Sequence, residues 1–196
     1  MQMGHSIFAT PGVVTLDDPD ASVSLGRYTL TSVTEVTDRE ALDDLLREYY
    51  GIILRKLAVA GVPQKYTVEG LKASFWPSID KFLPPSGRLI LVHDEAGALA
   101  GCGTLQQIRA DAGEVKRLYV RPAASGHGLG RAIVNARLQA ARRMGWRRIL
   151  VNAIRGNQDM LRIYQSLGFE FIDRYPECFD PIEVDPYFVY MQLELD

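Results

Sequence analysis

The sequence predicts an α/β (α+β) fold in which helices flank a mixed central β-sheet. Short apolar, β-branched runs alternate with segments of helical periodicity, and glycine-containing turns separate them. Of the 196 residues, 47% are hydrophobic and 23% are charged, which is typical of a globular protein with one buried core. We expect a single domain over residues 27–196. An N-terminal extension without periodicity, residues 1–26, precedes it.

The first half of this domain is predicted to contain one strand, two helical segments and a run of strands. Residues 27–33 alternate as the first strand, and Thr37 or Asp38 can cap the helix that follows and ends near residue 60. Residues 68–81 form a second helical segment that contains a proline and should bend there. Three further strands are expected at residues 88–93, 100–109 and 113–120.

The second half alternates between helix and strand. Apolar residues recur at helical spacing from Leu129 to Met144, and Gly145 is suited to end that helix. Asn157 can cap a further helix that ends at Gly168. The remaining strands are expected at residues 147–153, 169–173 and 188–195.

A strand, a glycine loop and a helix are joined in residues 115–132, which read VKRLYVRPAASGHGLGRA. The strand ends at Pro122, and the helix begins within the glycines. Unpaired N–H groups at a helix start bind phosphate, and glycines let it approach the backbone; the alternative is a tight turn that needs positive φ angles. The string does not match a Walker loop, and its GxGxG spacing without a following acid disfavours dinucleotide binding.

The charges around this loop also favour a small anion. Residues 115–158 contain ten cations and no acid, whereas the rest of the chain carries 12 cations against 24 acids, a net charge of −12. A local positive field on an acidic body favours a small polyanion and disfavours nucleic acid. The alternative for the arginines at positions 137–148 is a solvated helix face.

The loop resembles the acetyl-CoA-binding motif of the GNAT family of N-acetyltransferases, whose usual form is [QR]xxGxG[GA]. Residues 157–169, NQDMLRIYQSLGF, resemble a second motif of that family, NxxAxxLYxxxGF. The two motifs occur in the family's order, and the resemblance spans residues 27–195. It implies the GNAT acyl-CoA N-acyltransferase fold, with acetyl-CoA as the donor co-substrate.

The resemblance also implies which residues bind the donor. Ser125 departs from the family's Arg or Gln, so Arg131 could supply the missing contact to the pyrophosphate. For His127, phosphate contact and solvent exposure are both open, and Asn157 can cap a helix as well as contact the donor. The implied donor-binding residues are Leu118, Tyr119, Val120, Ser125, Gly126, His127, Gly128, Leu129, Gly130, Arg131, Asn157 and Tyr164.

Acetyl transfer to an amine needs a base, because a primary amine with a pKa of about 10 is mostly protonated at neutral pH. Histone-type members of the family have a base glutamate at the position that Glu114 matches. Glu114 could act directly or through water. The alternative is an exposed strand residue paired with an arginine.

The departing thiolate needs a proton, and a tyrosine hydroxyl can supply it. Tyr164 occupies the tyrosine position of the second motif, and its alternative role is packing on a helix face. A free backbone N–H near residues 118–120 could stabilise the oxyanion.

The resemblance implies that the acceptor pocket is built from Tyr49, Tyr50, Tyr66, Phe75 and Trp76 together with the 174–187 segment. The predicted function is direct acetyl transfer in a ternary complex to a primary amine of a small molecule or peptide. The alternative is a non-catalytic acyl-CoA-binding sensor. Small amines, amino acids, antibiotics, peptide N-termini and protein lysines all remain open as acceptors.

Other features restrict the partners and the location. Cys102 and Cys178 are isolated, so no metal site is predicted. No apolar run approaches the ~20 residues of a membrane helix, and no signal-peptide pattern is present, so we expect a cytoplasmic protein with no membrane partner. A homodimer is left open.

Overall fold

The computed structural model describes residues 21–63 and 65–196. Within them, eight strands form one mixed sheet in the order β1-β2-β3-β4-β5-β6-β8-β7. All neighbouring strands are antiparallel except β5 and β6, which are parallel. The strands are β1 (Ser22–Leu25), β2 (Tyr28–Val33), β3 (Gly87–His93), β4 (Leu99–Arg109), β5 (Ala112–Val120), β6 (Arg148–Ile154), β7 (Glu170–Ile172) and β8 (Phe188–Glu194).

Helices cover both faces of the sheet. The α-helices are α1 (Arg39–Val59), α2 (Val68–Ala73), α3 (Leu129–Arg143) and α4 (Gln158–Ser166). Short 3₁₀ segments lie at Trp76–Phe82, Pro122–Ala124 and Ile182–Tyr187. In the described part of the chain, no helix has both the length and the apolar character needed to cross a membrane.

The alternation of β3 shows how the two faces are filled. Leu89 and Leu91 pack in the cluster that contains the buried leucines of α1, whereas Ile90 and Val92 pack with Ile133 of α3. Because both faces are covered, β3 is a continuous apolar run.

Helix α1 follows directly from its sequence. The Asp38 carboxylate accepts a hydrogen bond from the backbone N–H of Ala41 at 2.9 Å, so it caps the first turn. Leu42, Leu45 and Leu46 are fully buried at the i, i+3 and i+4 positions that form one helical face. The predicted helix and one of its two predicted caps are therefore confirmed.

The sheet begins earlier than the predicted strand at residues 27–33. Strand β1 (Ser22–Leu25) pairs with β2 around a turn at Gly26, whose φ is +59°, so the predicted first strand is the second. Residues 1–20, which make up most of the predicted extension, lie outside the described residues. The domain boundary at residue 27 stays a prediction.

One further detail differs from expectation, and one was not predicted. The second helical segment is divided into α2 and a 3₁₀ segment, because Pro77 has no N–H to donate within a continuous α-helix. The final strand, β8, lies between β6 and β7. The connection from β6 through α4 to β7 therefore passes over the place that β8 occupies in the sheet.

Candidate active site

A cleft opens in the middle of the sheet, where two parallel strands separate. Strands β5 and β6 pair over three residues, Ala112–Glu114, which lie opposite residues 148–150. Beyond Glu114, β5 continues to Val120 along β4, while β6 continues to Ile154 along β8. The edge of β5 from Val115 onward therefore faces the cleft without a strand partner.

A β-bulge bends β5 beside this cleft. Lys116 pairs with Thr104 and Tyr119 pairs with Cys102, so two residues, Arg117 and Leu118, lie opposite the single Gly103. Arg117 has a φ of +52°, a conformation that non-glycine residues rarely adopt. The bulge increases the local bend and directs neighbouring side chains to different walls of the cleft.

One end of the cleft holds a cavity of about 530 Å³, which we name the donor cavity. It runs from the unpaired edge of β5 to the glycine loop before α3. The lining residues are Tyr49, Ile52, Ile53, Lys56, Leu118, Tyr119, Val120, Ala124, Ser125, Gly126, Gly128, Leu129, Gly130, Arg131, Asn157, Asp159, Met160 and Ile163.

The glycine loop presents the start of α3 to the donor cavity. Gly126 and Gly128 have φ values of +82° and +74°, and Gly128 is the N-cap. No side chain caps this helix, and its first bond within the helix runs from Ala132 N to Gly128 O at 3.0 Å. The N–H groups of the first turn are therefore free to bind an anion such as a pyrophosphate.

The other end of the cleft holds a cavity of about 260 Å³, which we name the acceptor cavity. It shares Tyr49, Ile53, Leu118, Asn157 and Met160 with the donor cavity, so the two meet inside the cleft. Its other lining residues are Tyr50, Leu57, Tyr66, Leu71, Ser74, Val115, Lys116, Arg117, Val151, Asn152, Ala153, Ile154, Tyr164, Asp180, Pro181, Val184 and Phe188.

Asp180 places a carboxylate on the wall of the acceptor cavity. Its Oδ2 atom accepts hydrogen bonds from Lys116 Nζ at 3.2 Å and from the Asn152 side-chain amide. Burial acts to raise the pKa of Asp180, but Lys116 and Asn152 outweigh burial and hold it below its ordinary value. The side chain remains 31% exposed, so a ligand can reach this anion.

Glu114 is fully buried at the point where β5 and β6 separate, and it lines neither cavity. Its carboxylate accepts hydrogen bonds from Gln106 Nε2 at 2.6 Å and from the Tyr175 hydroxyl. Lys116 Nζ lies 3.4 Å from the same carboxylate and so connects it to Asp180. Burial disfavours the charged form of Lys116, yet Glu114 and Asp180 together raise its pKa.

Tyr164 of α4 lines the acceptor cavity and is almost completely buried. Burial raises the pKa of its hydroxyl, and the adjacent Arg137 guanidinium acts in the opposite direction. Arg137 is itself fully buried, and its Nη1 donates to the carbonyl oxygens of Thr104 at 3.0 Å and Lys116 at 3.1 Å. A buried cation therefore supports both Tyr164 and the bulge of β5.

Comparison with known proteins identifies this architecture. The family model described as "Acetyltransferase (GNAT) family" matches residues 40–169, which is more than half of the chain. The chain belongs to the GNAT acetyltransferase family. It is accordingly an acyltransferase.

Individual relatives agree with this assignment of the GNAT chain. An uncharacterized N-acetyltransferase from Schizosaccharomyces pombe is 32% identical over 116 residues, which cover 59% of this chain and 68% of that protein. An amino-acid acetyltransferase from Mycobacterium tuberculosis is 43% identical over 58 residues, which cover 30% of this chain and 33% of that protein. The second alignment thus spans about a third of the mycobacterial relative.

Solved structures show the same fold at low sequence identity. An acetyltransferase from Streptococcus agalactiae has a TM-score of 0.67 at 14% identity and covers 87% of this chain and 99% of that chain. A spermidine N-acetyltransferase from Vibrio cholerae, in complex with CoA and spermine, has a TM-score of 0.59 at 17% identity and covers 86% and 95%. The predicted GNAT fold is therefore confirmed.

The structure brings most of the predicted donor-binding residues of this GNAT protein together. Those that line the donor cavity are Leu118, Tyr119, Val120, Ser125, Gly126, Gly128, Leu129, Gly130, Arg131 and Asn157. His127 does not line it, because its ring packs on Tyr28 with centroids 5.3 Å apart and its Nδ1 lies 3.0 Å from Ser125 O. Their contacts with the donor stay predictions.

Several predicted roles need a different geometry from the one expected. Asn157 is the N-cap residue of α4, but its side chain accepts from Lys56 Nζ at 2.7 Å and does not cap the helix. Arg131 donates to Ser166 Oγ at 2.7 Å. Glu114 is buried and is paired with Lys116, whereas an exposed residue paired with an arginine had been the alternative to a base.

The sequence also pointed to part of the acceptor cavity. Tyr49, Tyr50 and Tyr66 line it, whereas Phe75 and Trp76 pack against each other behind it. Asp180 lies within the predicted 174–187 segment, but nothing in the sequence singled it out from the other acids there. Arg117 is half-buried and Arg137 is fully buried, so a solvated helix face, the alternative offered for the arginines at positions 137–148, is wrong for Arg137.

In residues 21–63 and 65–196, no group of three or more His, Cys, Asp or Glu side chains could hold a metal ion. Cys102 is buried and Cys178 is buried beside Asp180. Burial raises the pKa of both thiols, to about 12 for Cys102. Neither thiol is prepared to act as a nucleophile.

Proposed function

We propose that this chain transfers the acetyl group of acetyl-CoA directly to a primary amine while both substrates are bound. The observation that carries this proposal is that the donor and acceptor cavities meet at Leu118 and Asn157. Two molecules that enter from the two ends can bring their reactive groups together there. Acetyl-CoA supplies the acetyl thioester.

The residues of the donor cavity have complementary tasks in this proposal. The first turn of α3 binds the pyrophosphate through backbone N–H groups, and Arg131 adds a cation beside it. The unpaired edge of β5 at residues 118–120 offers backbone groups to the pantetheine chain and to the carbonyl oxygen of the thioester. Ser125 leaves this cradle intact because the loop binds through its backbone.

We assign recognition of the amine to Asp180, which lines the acceptor cavity, whereas Glu114 lines neither cavity. The ionised Asp180 carboxylate holds the ammonium group and accepts its proton, directly or through water, so that the neutral amine can attack the thioester carbonyl. Glu114 has an indirect role, since its carboxylate pairs with Lys116, and Lys116 in turn pairs with Asp180 in the cavity wall. Tyr164 donates its hydroxyl proton to the departing sulfur, because its raised pKa keeps it protonated at neutral pH.

The function is tested by measuring thiol release from acetyl-CoA with a panel of primary amines. We expect amine-dependent thiol release, acetylated amine as the product, and initial-rate patterns that intersect when both substrates are varied. Parallel patterns, or an acetylated protein formed without amine, would exclude direct transfer. Binding of acetyl-CoA without thiol release for any amine would instead support the sensor.

The assignment of Asp180 has its own test. Asp180→Asn should lower kcat/KM for the amine by about 10- to 100-fold, because a charge-assisted hydrogen bond is lost, and should leave KM for acetyl-CoA unchanged. Asp44→Asn is the matched control, since Asp44 lies on the exposed face of α1 and lines neither cavity. Unchanged amine kinetics in Asp180→Asn would return the role to Glu114.

The relatives are consistent with a small acceptor. One is described as an amino-acid acetyltransferase and another, from Salmonella typhimurium, as an L-methionine sulfoximine/L-methionine sulfone acetyltransferase. We extend from them to this chain a compact amine acceptor, which agrees with an acceptor cavity of about 260 Å³.

A further inference from the structure

Arg117 lines the acceptor cavity and has no acidic partner within the described residues. Its guanidinium carbon lies 4.6 Å from the centroid of the Phe82 ring and 5.3 Å from that of Phe75. Its Nε donates to the Tyr50 hydroxyl at 3.0 Å, and its Nη1 is buried without any hydrogen-bond partner. A half-buried cation that is incompletely satisfied is costly. Because Nη1 has almost no accessible surface, a bound anion would pair with Nη2, which has no hydrogen-bond partner among the described residues.

The position of Arg117 also carries backbone strain. Its φ of +52° occurs at the bulge where β5 turns along the cleft. Strained residues persist where the surrounding structure holds them, and they cluster at binding and catalytic sites. The bulge sends Arg117 towards Tyr50 of α1, whereas the preceding Lys116 turns towards Asp180.

The two walls of the acceptor cavity therefore differ in charge. Lys116 and Asp180 lie on one wall and are connected to Glu114, which is buried behind that wall. The group has two carboxylates and one ammonium, which is a net charge of −1. Arg117 contributes a charge of +1 on the wall formed with α1. A ligand that carries both an ammonium group and an anionic group would satisfy both walls.

From this arrangement we propose that the acceptor is a zwitterion, whose amine binds at Asp180 and whose carboxylate binds at Arg117. The inference rests on the proposed function and adds the chemical class of the acceptor, which is a free amino acid. Arginine suits this task because its guanidinium stays charged at neutral pH and Nη2 can donate a charge-assisted hydrogen bond to a carboxylate. A free amino acid is small enough for the cavity of about 260 Å³.

The test compares acceptors that differ at the carboxylate alone. Each of a set of free amino acids, such as methionine and phenylalanine, is assayed beside its carboxamide and its decarboxylated amine. For the best free amino acid, the wild-type protein should show a kcat/KM about 10- to 100-fold above that of the two analogues that lack the carboxylate. Equal or faster acetylation of those analogues would overturn the proposal while leaving the acetyltransferase function in place.

Variants then locate the contact. Arg117→Met should lower kcat/KM for the amino acid much more than for its carboxamide, so that the ratio of the two falls towards one. Arg117→Lys should recover part of the difference. Arg142→Met, on the exposed face of α3, is the matched control and should preserve the wild-type ratio. An equal loss for all three acceptors would assign Arg117 a structural role and overturn the proposal.

A second measurement covers the case in which Arg117→Met does not fold. Tyr50→Phe removes the hydroxyl that orients the guanidinium and should narrow the ratio between amino acid and carboxamide in the same direction. In the wild-type protein, the deaminated acid should inhibit competitively against the amino acid, and its amide should not. Absence of both effects would contradict the inference. Absence of thiol release with every amine would contradict the proposed function itself.

Discussion

At the scale of single residues, the environment of Tyr164 matches what a proton donor needs. Its side chain lines the acceptor cavity, burial raises the pKa of its hydroxyl, and Arg137 lies beside it. The same cation would stabilise the phenolate that remains after the proton is donated. The buried arginine thus supports both the acid and its conjugate base.

We expect Tyr164→Phe to lower kcat by about 100-fold, because the proton donor for the departing thiolate is lost. The phenyl ring should keep its packing on Phe169, whose centroid lies 5.1 Å away, so KM for acetyl-CoA should change little. Steady-state thiol release measures both constants. Tyr187→Phe is the control, since Tyr187 lines neither cavity. If Tyr164→Phe had the same kcat as Tyr187→Phe, Tyr164 would not be the proton donor.

Asp180 should also contribute to stability in a pH-dependent manner. Its pKa is lower in the folded protein than in the unfolded chain, so its contribution is present above the unfolded value of about 3.9 and is lost as the pH falls through the folded value. Asp180→Asn should cost on the order of 1 kcal/mol at pH 6 and progressively less below pH 4. Urea unfolding across this range measures the difference, and a difference that grows towards low pH would contradict the sign.

At the scale of secondary-structure elements, the glycines of the loop before α3 could be needed for the loop conformation, for ligand binding, or for both. Gly128 and Gly97 have similar φ values, +74° and +79°, and a Cβ at either position would meet no atom within 4 Å. Substitution of either glycine by alanine should therefore lower the free energy of unfolding by about 1–2 kcal/mol. They differ in that Gly128 lines the donor cavity.

We expect Gly128→Ala to raise KM for acetyl-CoA about tenfold, because a shifted first turn of α3 no longer directs its N–H groups at the pyrophosphate. Gly97→Ala, in the turn between β3 and β4, should show a similar loss of stability with unchanged kinetics. The two variants are compared by urea unfolding and by acetyl-CoA titration. Equal effects on KM would mean that the loop is a turn without a binding role.

Elements with local signals were predictable from the sequence. The Asp38 cap, the leucine face of α1 and the apolar run of β3 each follow from neighbours in the chain, and the structure confirms them. Strand β1 was missed because its burial alternates weakly and depends on pairing with β2. The place of β8 between β6 and β7 depends on long-range pairing, which local patterns do not encode.

The site was predictable where binding uses the backbone. The glycines and the start of α3 lie as expected, because their conformation is a local property. The charged side chains were less predictable, since pairing across distant segments decides their burial. Glu114 meets Tyr175 from 61 positions away, and Arg137 meets Thr104 from 33 positions away. The need for glycine at position 113 also depends on a distant residue, since any Cβ there would overlap the Trp146 ring.

At the scale of the whole molecule, the sheet consists of two parts joined at the cleft. Strands β1–β5 and strands β6–β8 pair with each other across residues 112–114. A donor bound in the cleft would contact β5 of the first part and α4, the helix that connects β6 to β7 in the second part, since both line the donor cavity. Binding and folding stability should therefore be strongly linked.

Saturation with acetyl-CoA should raise the free energy of unfolding by about 2.7 kcal/mol at a concentration 100 times the dissociation constant. Denaturant unfolding with and without acetyl-CoA measures this increase. Adenosine, which lacks the pyrophosphate and the pantetheine chain, serves as the control ligand and should give a much smaller shift. An acetyl-CoA shift no larger than that of adenosine would argue against binding along the cleft.

The burial of Glu114 affects how a slow variant of this enzyme would be interpreted. Glu114 is the last residue of β5 that pairs with β6, so its bonds to Gln106 and Tyr175 lie where the two strands begin to diverge. Glu114→Gln could therefore slow turnover by misaligning the bound substrates, with no base removed. Misalignment lowers the rate equally at every pH, whereas a missing base abolishes the acidic limb of the pH–rate profile. The shape of that profile therefore distinguishes a residue that positions the two strands from a residue that accepts a proton.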